Sequence, residues 1–300
     1  LKASAGILIL TLMPITWIQI SHWKSSITVF KHAIKVTDKK YPNFAVVHNN
    51  LGNALSAERK IEEAISHYKM AIKIKPDYAL PHNNLGITLV AEGNNEEATS
   101  HYKMAIKLKP DYDEAHYNLG VTLVAEGKNE EAISHYKMAI KLKPDFADAY
   151  NNLGIALVAE GKNEEATSHY KMAIKLNPNY ANAYNNLGNA LLDKGRISEA
   201  ISHYKMAIKL KSDFAQPHYN LGNTLRREGK NSEAISHYKM AIKLKPDFAD
   251  AYNNLGNALL QKGELKEAID HYRETLKLRP GFVAAQTNLE IALLRSEELE

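Results

Sequence analysis

A fixed period of 34 residues is the feature that most constrains what this chain can fold into. The dipeptide Leu-Gly recurs at that interval, with glycines at Gly52, Gly86, Gly120, Gly154, Gly188, Gly222 and Gly256. Alanine follows each glycine by 12 residues and tyrosine by 16, and proline stands 24 residues after six of the seven. Self-similarity at such a period indicates a repeat architecture, in which each unit contacts mainly its neighbours. The prior of two globular domains for 300 residues therefore does not apply.

Each repeat predicts two helices. In the fourth repeat, apolar residues recur at helical spacing up to Gly161, where glycine ends the first helix because it adopts positive φ without strain. Asn163 is expected to cap the second helix, which ends before Pro178 because proline lacks an amide proton. Gly154 and Ala166 are expected to let the two helix backbones approach each other. No segment shows sustained period-two alternation, so we predict an all-α chain.

The pattern small-x-x-Leu-Gly-x-x-Leu, followed by Gly, Ala, Tyr, Ala and Pro at these offsets, resembles the tetratricopeptide repeat (TPR) over residues 45–300. The resemblance implies a right-handed superhelix, an α-solenoid, of about seven full hairpins plus a C-terminal capping helix. A polar outer face on that helix is expected from Arg295, Glu297, Glu298 and Glu300. Two columns depart from the family. The aromatic residue four before the glycine is histidine at His48, His82, His116 and His218, and asparagine replaces an early apolar residue at Asn95, Asn129, Asn163 and Asn231.

The N-terminus differs in kind. Residues 3–21 carry no charge, and at 1.5 Å per residue they span about 28 Å as a helix, close to the thickness of a bilayer core. We therefore predict a transmembrane helix at residues 3–21, with a signal-peptide core or a buried capping helix as alternatives. Residues 22–42 are interpreted as a juxtamembrane half repeat, since Ser26 to Lys35 echoes Ala64 to Lys73.

This junction, within about residues 1–55, resembles that of bacterial membrane glycosyltransferases related to protein O-mannosyltransferases, in which a final membrane helix runs into a TPR tail. The resemblance implies that a catalytic part precedes Leu1 and that the repeats lie outside the cytoplasm. The lysines that follow the apolar segment favour the cytoplasmic side instead. The sidedness therefore stays open.

Composition excludes several functions. The 38 Lys and Arg against 34 Asp and Glu leave a formal charge of +4, too small an excess to indicate nucleic-acid binding. The chain has no cysteine, which excludes disulfides, thiolate metal sites and a cysteine nucleophile. One histidine per repeat adjoins the tyrosine, and equivalent residues of stacked helices should lie about 10 Å apart, too far to share a metal ion. We predict no metal, no cofactor and no catalytic residues.

In the family that this chain resembles, the first helix of each pair lines the concave groove. The residue two before each glycine is always asparagine: Asn50, Asn84, Asn118, Asn152, Asn186, Asn220 and Asn254, with Asn288 beyond the last repeat. A carboxamide carries a donor and an acceptor, as a peptide bond does, so such a row can bind an extended chain through its backbone. The row resembles the asparagine ladder of O-linked N-acetylglucosamine transferase. The alternative is that these asparagines only tie neighbouring helices together.

Other groove positions divide the repeats into two groups. Repeats two to four offer apolar residues, namely Ile87, Val90, Val121, Val124, Ile155 and Val158. Repeats five to seven offer polar ones, namely Asn189, Asp193, Asn223, Arg226, Arg227, Asn257 and Gln261. We hypothesise that a partner places apolar side chains against the first group and an acidic residue near Arg226 and Arg227.

The sequence therefore predicts a non-catalytic scaffold that binds a protein or an extended peptide in the groove and is held at a membrane by residues 3–21. The alternative is the C-terminal TPR region of a membrane-embedded glycosyltransferase whose catalytic part is missing from this chain. A third reading is a soluble scaffold in which residues 1–21 are only a hydrophobic cap.

Overall fold

The computed structural model describes residues 25–36 and 43–297, and in these ranges it contains sixteen α-helices and no strand. The helices are α1 Ser26–Val36, α2 Asn43–Ala57, α3 Ile61–Ile74, α4 Ala79–Ala91, α5 Asn95–Leu108, α6 Asp113–Ala125, α7 Asn129–Leu142, α8 Ala147–Ala159, α9 Asn163–Leu176, α10 Ala181–Asp193, α11 Ile197–Leu210, α12 Ala215–Arg227, α13 Asn231–Leu244, α14 Ala249–Gln261, α15 Leu265–Leu278 and α16 Val283–Glu297. The prediction of an all-α repeat fold is confirmed.

Seven hairpins are formed by consecutive helices, from hairpin 1 (α2 and α3) to hairpin 7 (α14 and α15). The chain divides into two compact units, one ending at Pro144 and the other beginning at Asp145. Unit 1 holds hairpins 1 to 3, and unit 2 holds hairpins 4 to 7 followed by α16. Within each unit, the two helices of a hairpin pack together and each hairpin packs on the next. The superhelical handedness stays a prediction.

Helix α1 lies inside the predicted half repeat and packs against α2, the first helix of hairpin 1. Ile27 of α1 is buried, and Ile65, at the matching position of the first full repeat, is half-buried. The rest of the predicted half repeat, residues 22–24 and 37–42, lies outside the described residues. So does the predicted membrane helix at residues 3–21. Within the described residues, no helix combines the length and the apolar composition that a bilayer crossing requires.

The repeated glycine makes room for the repeated tyrosine. A Cβ atom placed on Gly154 would lie 2.5 Å from Cε1 of Tyr170, and the same conflict recurs in all seven hairpins. The three atoms nearest to that position all belong to the Tyr170 ring, so the tyrosine is the side chain that requires glycine here. Ala166 is fully buried, and its approach to Gly154 stays a prediction. The flat ring rests on a backbone without a side chain, and this contact fixes the distance between the two helices.

The turn inside each hairpin confirms one prediction and corrects another. Gly161 has a φ of +73°, the left-handed conformation expected of a glycine that ends a helix. Asn163 does not cap α9, because the cap position is held by Lys162, which makes no side-chain capping bond. Asn163 is instead the first helical residue, and its Oδ1 is buried without a hydrogen-bond partner, as is that of Asn231 in hairpin 6. At two of the positions where asparagine replaces the apolar residue of the family pattern, a buried side-chain oxygen therefore lacks a hydrogen-bond partner.

The last helix, α16, exposes Arg295 and Glu297 as expected, but it exposes apolar residues as well, while Glu298 and Glu300 lie outside the described residues. Val283 is 70% exposed and Leu294 is 62% exposed, and Ile291 is exposed as well. The reason lies in the repeat itself, since Ile291 and Leu294 occupy the columns of Ile155 and Val158, which are also exposed. Arg295 and Glu297 are exposed beside them but do not cover this apolar surface.

Candidate functional site

The row of asparagines two residues before each glycine lies on the first helices, half-buried at every position from Asn50 to Asn288. In unit 1, Nδ2 of Asn84 donates to Oδ1 of Asn49 and Oδ1 of Asn53, both at 3.0 Å. Equivalent bonds run from Asn118 to Asn83 and, in unit 2, from Asn186 to Asn151, from Asn220 to Asn185 and Asn189, from Asn254 to Asn223 and from Asn288 to Asn253 and Asn257. Each of these six amide nitrogens therefore ties its helix to the preceding first helix of the same unit.

These bonds change what the row can offer a partner. An amide nitrogen has two hydrogens, and where it donates to two oxygens, as in Asn84 and Asn220, none is left for a ligand. The carbonyl oxygen is less occupied, since that of Asn50 accepts one bond from Nδ2 of Asn49 and an oxygen has two lone pairs. The structural alternative accounts for the nitrogens that donate to two oxygens, whereas Asn118 and Asn186 each donate one such bond. Towards a ligand the row therefore presents mainly acceptors.

The residue after each repeated glycine separates two kinds of hairpin. In hairpins 1, 5, 6 and 7 it is asparagine, whose Oδ1 accepts the hydroxyl of the repeated tyrosine at 2.8 Å. The pairs are Tyr68 with Asn53, Tyr204 with Asn189, Tyr238 with Asn223 and Tyr272 with Asn257. The hydrogen bond was not foreseen, although the alternation of asparagine and aliphatic residues at this position was visible in the sequence.

In hairpins 2 to 4 the same position is aliphatic and exposed. Ile87 is 46% exposed, Val121 37% and Ile155 40%. Three residues further along, Val90 and Val158 are exposed and Val124 is half-buried. Ile87, Val90, Val121 and Val124 belong to unit 1, on α4 and α6, and Ile155 and Val158 belong to unit 2, on α8.

In unit 2 the structure brings some of these predicted residues together. Ile155 and Val158 on α8, with Asn186 and Asn189 on α10, line a depression of about 200 Å³ that also includes Asp193. We call it the hairpin-4 depression, and its remaining lining residues are Tyr170 and Ala190. It combines aliphatic walls with a few polar groups, which is the usual make-up of a ligand site.

The two predicted arginines differ from each other. Arg226 is half-buried, and its Nε is buried without a hydrogen-bond partner. Burial raises the pKa of Tyr238 to about 12, while the charge of Arg226 beside it acts in the opposite direction. Arg227 is exposed at the end of α12. An acidic ligand group can therefore reach Arg227 more easily than Arg226.

The repeated histidines form a feature that the sequence analysis missed. In four hairpins, Nδ1 of a first-helix histidine lies 2.8–3.0 Å from Nδ1 of the second-helix histidine 19 residues later. The pairs are His48 with His67, His82 with His101, His116 with His135 and His218 with His237. Such a bond requires one nitrogen to donate and the other to accept, so the accepting ring must be neutral.

Burial lowers the pKa of His48, His82 and His218 to about 4, and the charge of the paired histidine adds to the effect. In the remaining hairpins a tyrosine replaces the first histidine, and its ring lies 5.8–5.9 Å from the second-helix histidine. No group of three metal-ligating side chains lies together within residues 25–36 and 43–297. The pairs therefore connect the two helices of a hairpin.

Two family models match this chain. The family model described as the C-terminal domain of cilia and flagella-associated protein 70 matches residues 82–292. A model of the TPR repeat matches residues 52–91. No curated protein matches this sequence.

Solved structures share the fold. The APC/C hetero-tetramer Cut9-Hcn1 gives a TM-score of 0.69 at 20% identity over 89% of this chain, which spans only 52% of the matched chain. PilF of Pseudomonas aeruginosa gives 0.63 at 20% identity, over 70% of this chain and 95% of that one. YrrB, described as a TPR protein with an unusual peptide-binding site, gives 0.51 at 25% identity, over 61% of this chain and 95% of that one.

Proposed function

The chain belongs to the family of tetratricopeptide-repeat domains that includes the C-terminal domain of cilia and flagella-associated protein 70, and from this premise we propose that it is a non-catalytic scaffold that binds extended segments of partner proteins. The binding surface is the face of the first helices that carries the asparagine row. The likeness to YrrB, a TPR protein with a peptide-binding site, supports this proposal.

The observation behind the proposal is that the residue after the repeated glycine is aliphatic and exposed in hairpins 2 to 4. Ile87, Val121 and Ile155 are 37–46% exposed at a position where four other hairpins have asparagine, so the fold does not require an aliphatic residue there. Single exposed apolar residues are common on protein surfaces, but in unit 1 they recur on successive first helices that also carry the asparagine row, as Ile87 and Val90 do on α4 and Val121 does on α6, and such a grouping is a feature of binding surfaces. A partner that covers these side chains removes apolar area from water.

The asparagine row then selects the orientation of the partner. Its oxygens accept hydrogen bonds from the backbone N–H groups of an extended peptide, independently of the peptide's side chains. The exposed Arg227 attracts an acidic residue of the same partner. Bonds to the backbone give affinity, and the aliphatic and charged contacts give specificity.

Peptide selection tests this function. A phage-displayed peptide library is selected on the 300-residue chain in detergent, and the dissociation constants of enriched peptides are measured by fluorescence anisotropy. Ile87→Asn combined with Val121→Asn changes unit 1, and Val158→Asn changes unit 2. We expect each enriched peptide to bind at least one of these variants about tenfold more weakly, a change of roughly 1.4 kcal/mol.

The matched control alters equally exposed apolar residues on second helices. Met104→Gln with Met138→Gln should leave every dissociation constant unchanged, since these residues lie on α5 and α7. If no peptide is enriched, or if the control weakens binding as much as the first-helix variants do, the proposed function is wrong.

The membrane tether at residues 3–21 and the glycosyltransferase alternative both rest on the sequence alone, the latter on about residues 1–55. The tether has a simple test: deletion of residues 1–24 is expected to move the protein from the membrane fraction to the supernatant. A truncated protein that stays in the membrane fraction contradicts the tether and leaves the repeat domain's binding function untouched.

A further inference from the structure

Tyr170 differs from most of the repeated tyrosines. In hairpins 1, 5, 6 and 7 the tyrosine hydroxyl donates to an asparagine oxygen at 2.8 Å. In hairpin 4 the equivalent residue is Ile155, which cannot accept a hydrogen bond. The next first helix offers Ala190 where hairpin 2 offers Thr88, whose hydroxyl lies beside Tyr68. The sequence has thus removed both neighbours that could engage the Tyr170 hydroxyl.

The Tyr170 hydroxyl lies where a depression meets the solvent. Tyr170 is only 3% exposed, and it makes no hydrogen bond within the described residues. Its oxygen is nevertheless not among the buried atoms without a partner, so it retains contact with solvent. Tyr170 is one of the residues that line the hairpin-4 depression. The hydroxyl is therefore an unused donor at the surface of this depression.

The depression has a second unused donor. Oδ1 of Asn189 accepts hydrogen bonds from the Tyr204 hydroxyl at 2.8 Å and from Nδ2 of Asn220 at 3.0 Å. Both lone pairs of this oxygen are thereby occupied, and the amide nitrogen of Asn189 is left to donate to a ligand. Two donors on residues that line one depression suit a carbonyl oxygen.

The remaining lining decides which side chain fits. Ile155, Val158 and Ala190 form an aliphatic wall around about 200 Å³, enough for one apolar side chain. Asp193 is the one charged residue of the lining and is exposed. An aliphatic side chain is favoured against the wall, and a neighbouring positive charge is favoured beside the carboxylate. A neighbouring acidic residue would be repelled.

We propose that the hairpin-4 depression binds an aliphatic side chain of the partner peptide, with Tyr170 and Asn189 donating to an adjoining peptide carbonyl and Asp193 pairing with an adjacent lysine or arginine. This inference rests on the proposed function and adds the specificity of one site to it. It also completes the recognition of the backbone, because the asparagine row accepts from peptide N–H groups whereas this depression donates to a peptide C=O.

One substitution tests the proposal with little risk to the fold. Ile155→Asn gives hairpin 4 the residue that hairpins 1, 5, 6 and 7 already have at this position, and the new oxygen can accept the Tyr170 hydroxyl. It therefore removes both the aliphatic wall and the free donor. Hydrogen exchange of α8 and α9 verifies that the variant is folded. Met206→Gln is the matched control, because it alters a similarly exposed apolar residue of the same unit on a second helix, α11.

The probes are the peptides enriched by selection on the unaltered chain. We expect a share of them to contain an aliphatic residue next to lysine or arginine, and these peptides should bind Ile155→Asn at least tenfold more weakly. Asp193→Asn should weaken the same peptides about fivefold and remove the preference over versions with glutamate in place of the basic residue. Tyr170→Phe should weaken them a few-fold without changing the exchange of hairpin 4.

The outcomes separate the two proposals. If enriched peptides respond to the unit 1 variants but bind Ile155→Asn and Asp193→Asn as well as the unaltered chain, the scaffold function stands and the hairpin-4 site is wrong. If the enriched peptides carry an acidic residue beside the aliphatic one, the charge preference is wrong. If no peptide is enriched, both proposals are wrong.

Discussion

Hairpins 4 and 5 are neighbouring repeats of one unit, and they differ at a position that decides what their tyrosines do. In hairpin 5, Asn189 accepts the hydroxyl of Tyr204 at 2.8 Å and also the amide of Asn220. In hairpin 4, Ile155 leaves the hydroxyl of Tyr170 without a hydrogen bond, and a depression opens beside it. The same helical frame thus binds the tyrosine hydroxyl internally in hairpin 5 and leaves it unused in hairpin 4.

The largest expected effect comes from the glycine under each tyrosine. A Cβ atom at Gly188 would lie 2.6 Å from the Tyr204 ring, and one at Gly154 would lie 2.5 Å from the Tyr170 ring. Gly188→Ala should cost about 3 kcal/mol and Gly154→Ala about 2 kcal/mol, because displacing Tyr204 also breaks its hydrogen bond. Local opening free energies from hydrogen exchange measure both. Equal costs would contradict the role given to Asn189.

Acid should destabilise hairpin 6 more than hairpins 4 and 5. Hairpin 6 has a histidine pair, whereas hairpins 4 and 5 have a tyrosine in place of the first histidine. The pKa of His218 is about 4, lowered by burial and by His237, against an ordinary value of 6.5. The unfolded state therefore binds more protons between these values, and stability is lost as the pH falls from 6.5 towards 4. At pH 5 the loss from one such group is roughly 2 kcal/mol.

Hydrogen exchange at pH 7 and pH 5 should show hairpin 6 loosening more than hairpin 5. Lys205 and Glu233 also act on His237, with opposite effects on its pKa, so their charges largely oppose each other. His218→Tyr should reduce the acid response of hairpin 6 to that of hairpin 5. An unchanged response in that variant would show that the pair is not its source.

Removing the hydroxyls tests the comparison with a smaller effect. Tyr204→Phe should cost hairpin 5 about 1 kcal/mol, since it removes the hydrogen bond to Asn189. Tyr170→Phe should change the stability of hairpin 4 by much less, because its hydroxyl makes no hydrogen bond within the described residues. Thermal unfolding and hydrogen exchange of the two variants provide the measurement, and a reversed order would refute the assignment.

The smallest effect concerns the start of the second helices. Asn163→Ile should stabilise hairpin 4 by up to about 1 kcal/mol, because it replaces a buried oxygen without a partner by the residue type that begins α11, Ile197. Asn95→Ile is the matched control, since the oxygen of Asn95 is not among these buried atoms. If both variants gain equally, the unsatisfied oxygen is not the cause.

The sequence was sufficient to predict the fold because the period fixes which residues meet. Repetition placed Gly154, Gly161 and Tyr170 in columns, and each column has one geometric role. It was not sufficient for the end of α16, where the repeat keeps its exposed apolar positions, or for Asn163, whose place one residue inside the helix depends on backbone geometry.

The site was predicted only in outline, since hydrogen bonds join residues of different repeats. The asparagine row was visible, but the direction of its bonds was not, because a carboxamide can either donate or accept. Nδ2 of Asn84 donates to the side chains of Asn49 and Asn53, which lie 35 and 31 residues earlier in the chain. The histidine pairs were missed because the two histidines of a pair, such as His82 and His101, were assigned to separate columns.

The most direct test of the central claim is an ester scan of an enriched peptide. Each backbone N–H is replaced in turn by an ester oxygen, which removes a donor and keeps the side chain. If the asparagine oxygens accept from the peptide backbone, at least two of these replacements should weaken binding to the chain by about fivefold or more. Unchanged dissociation constants along the whole peptide would contradict the account.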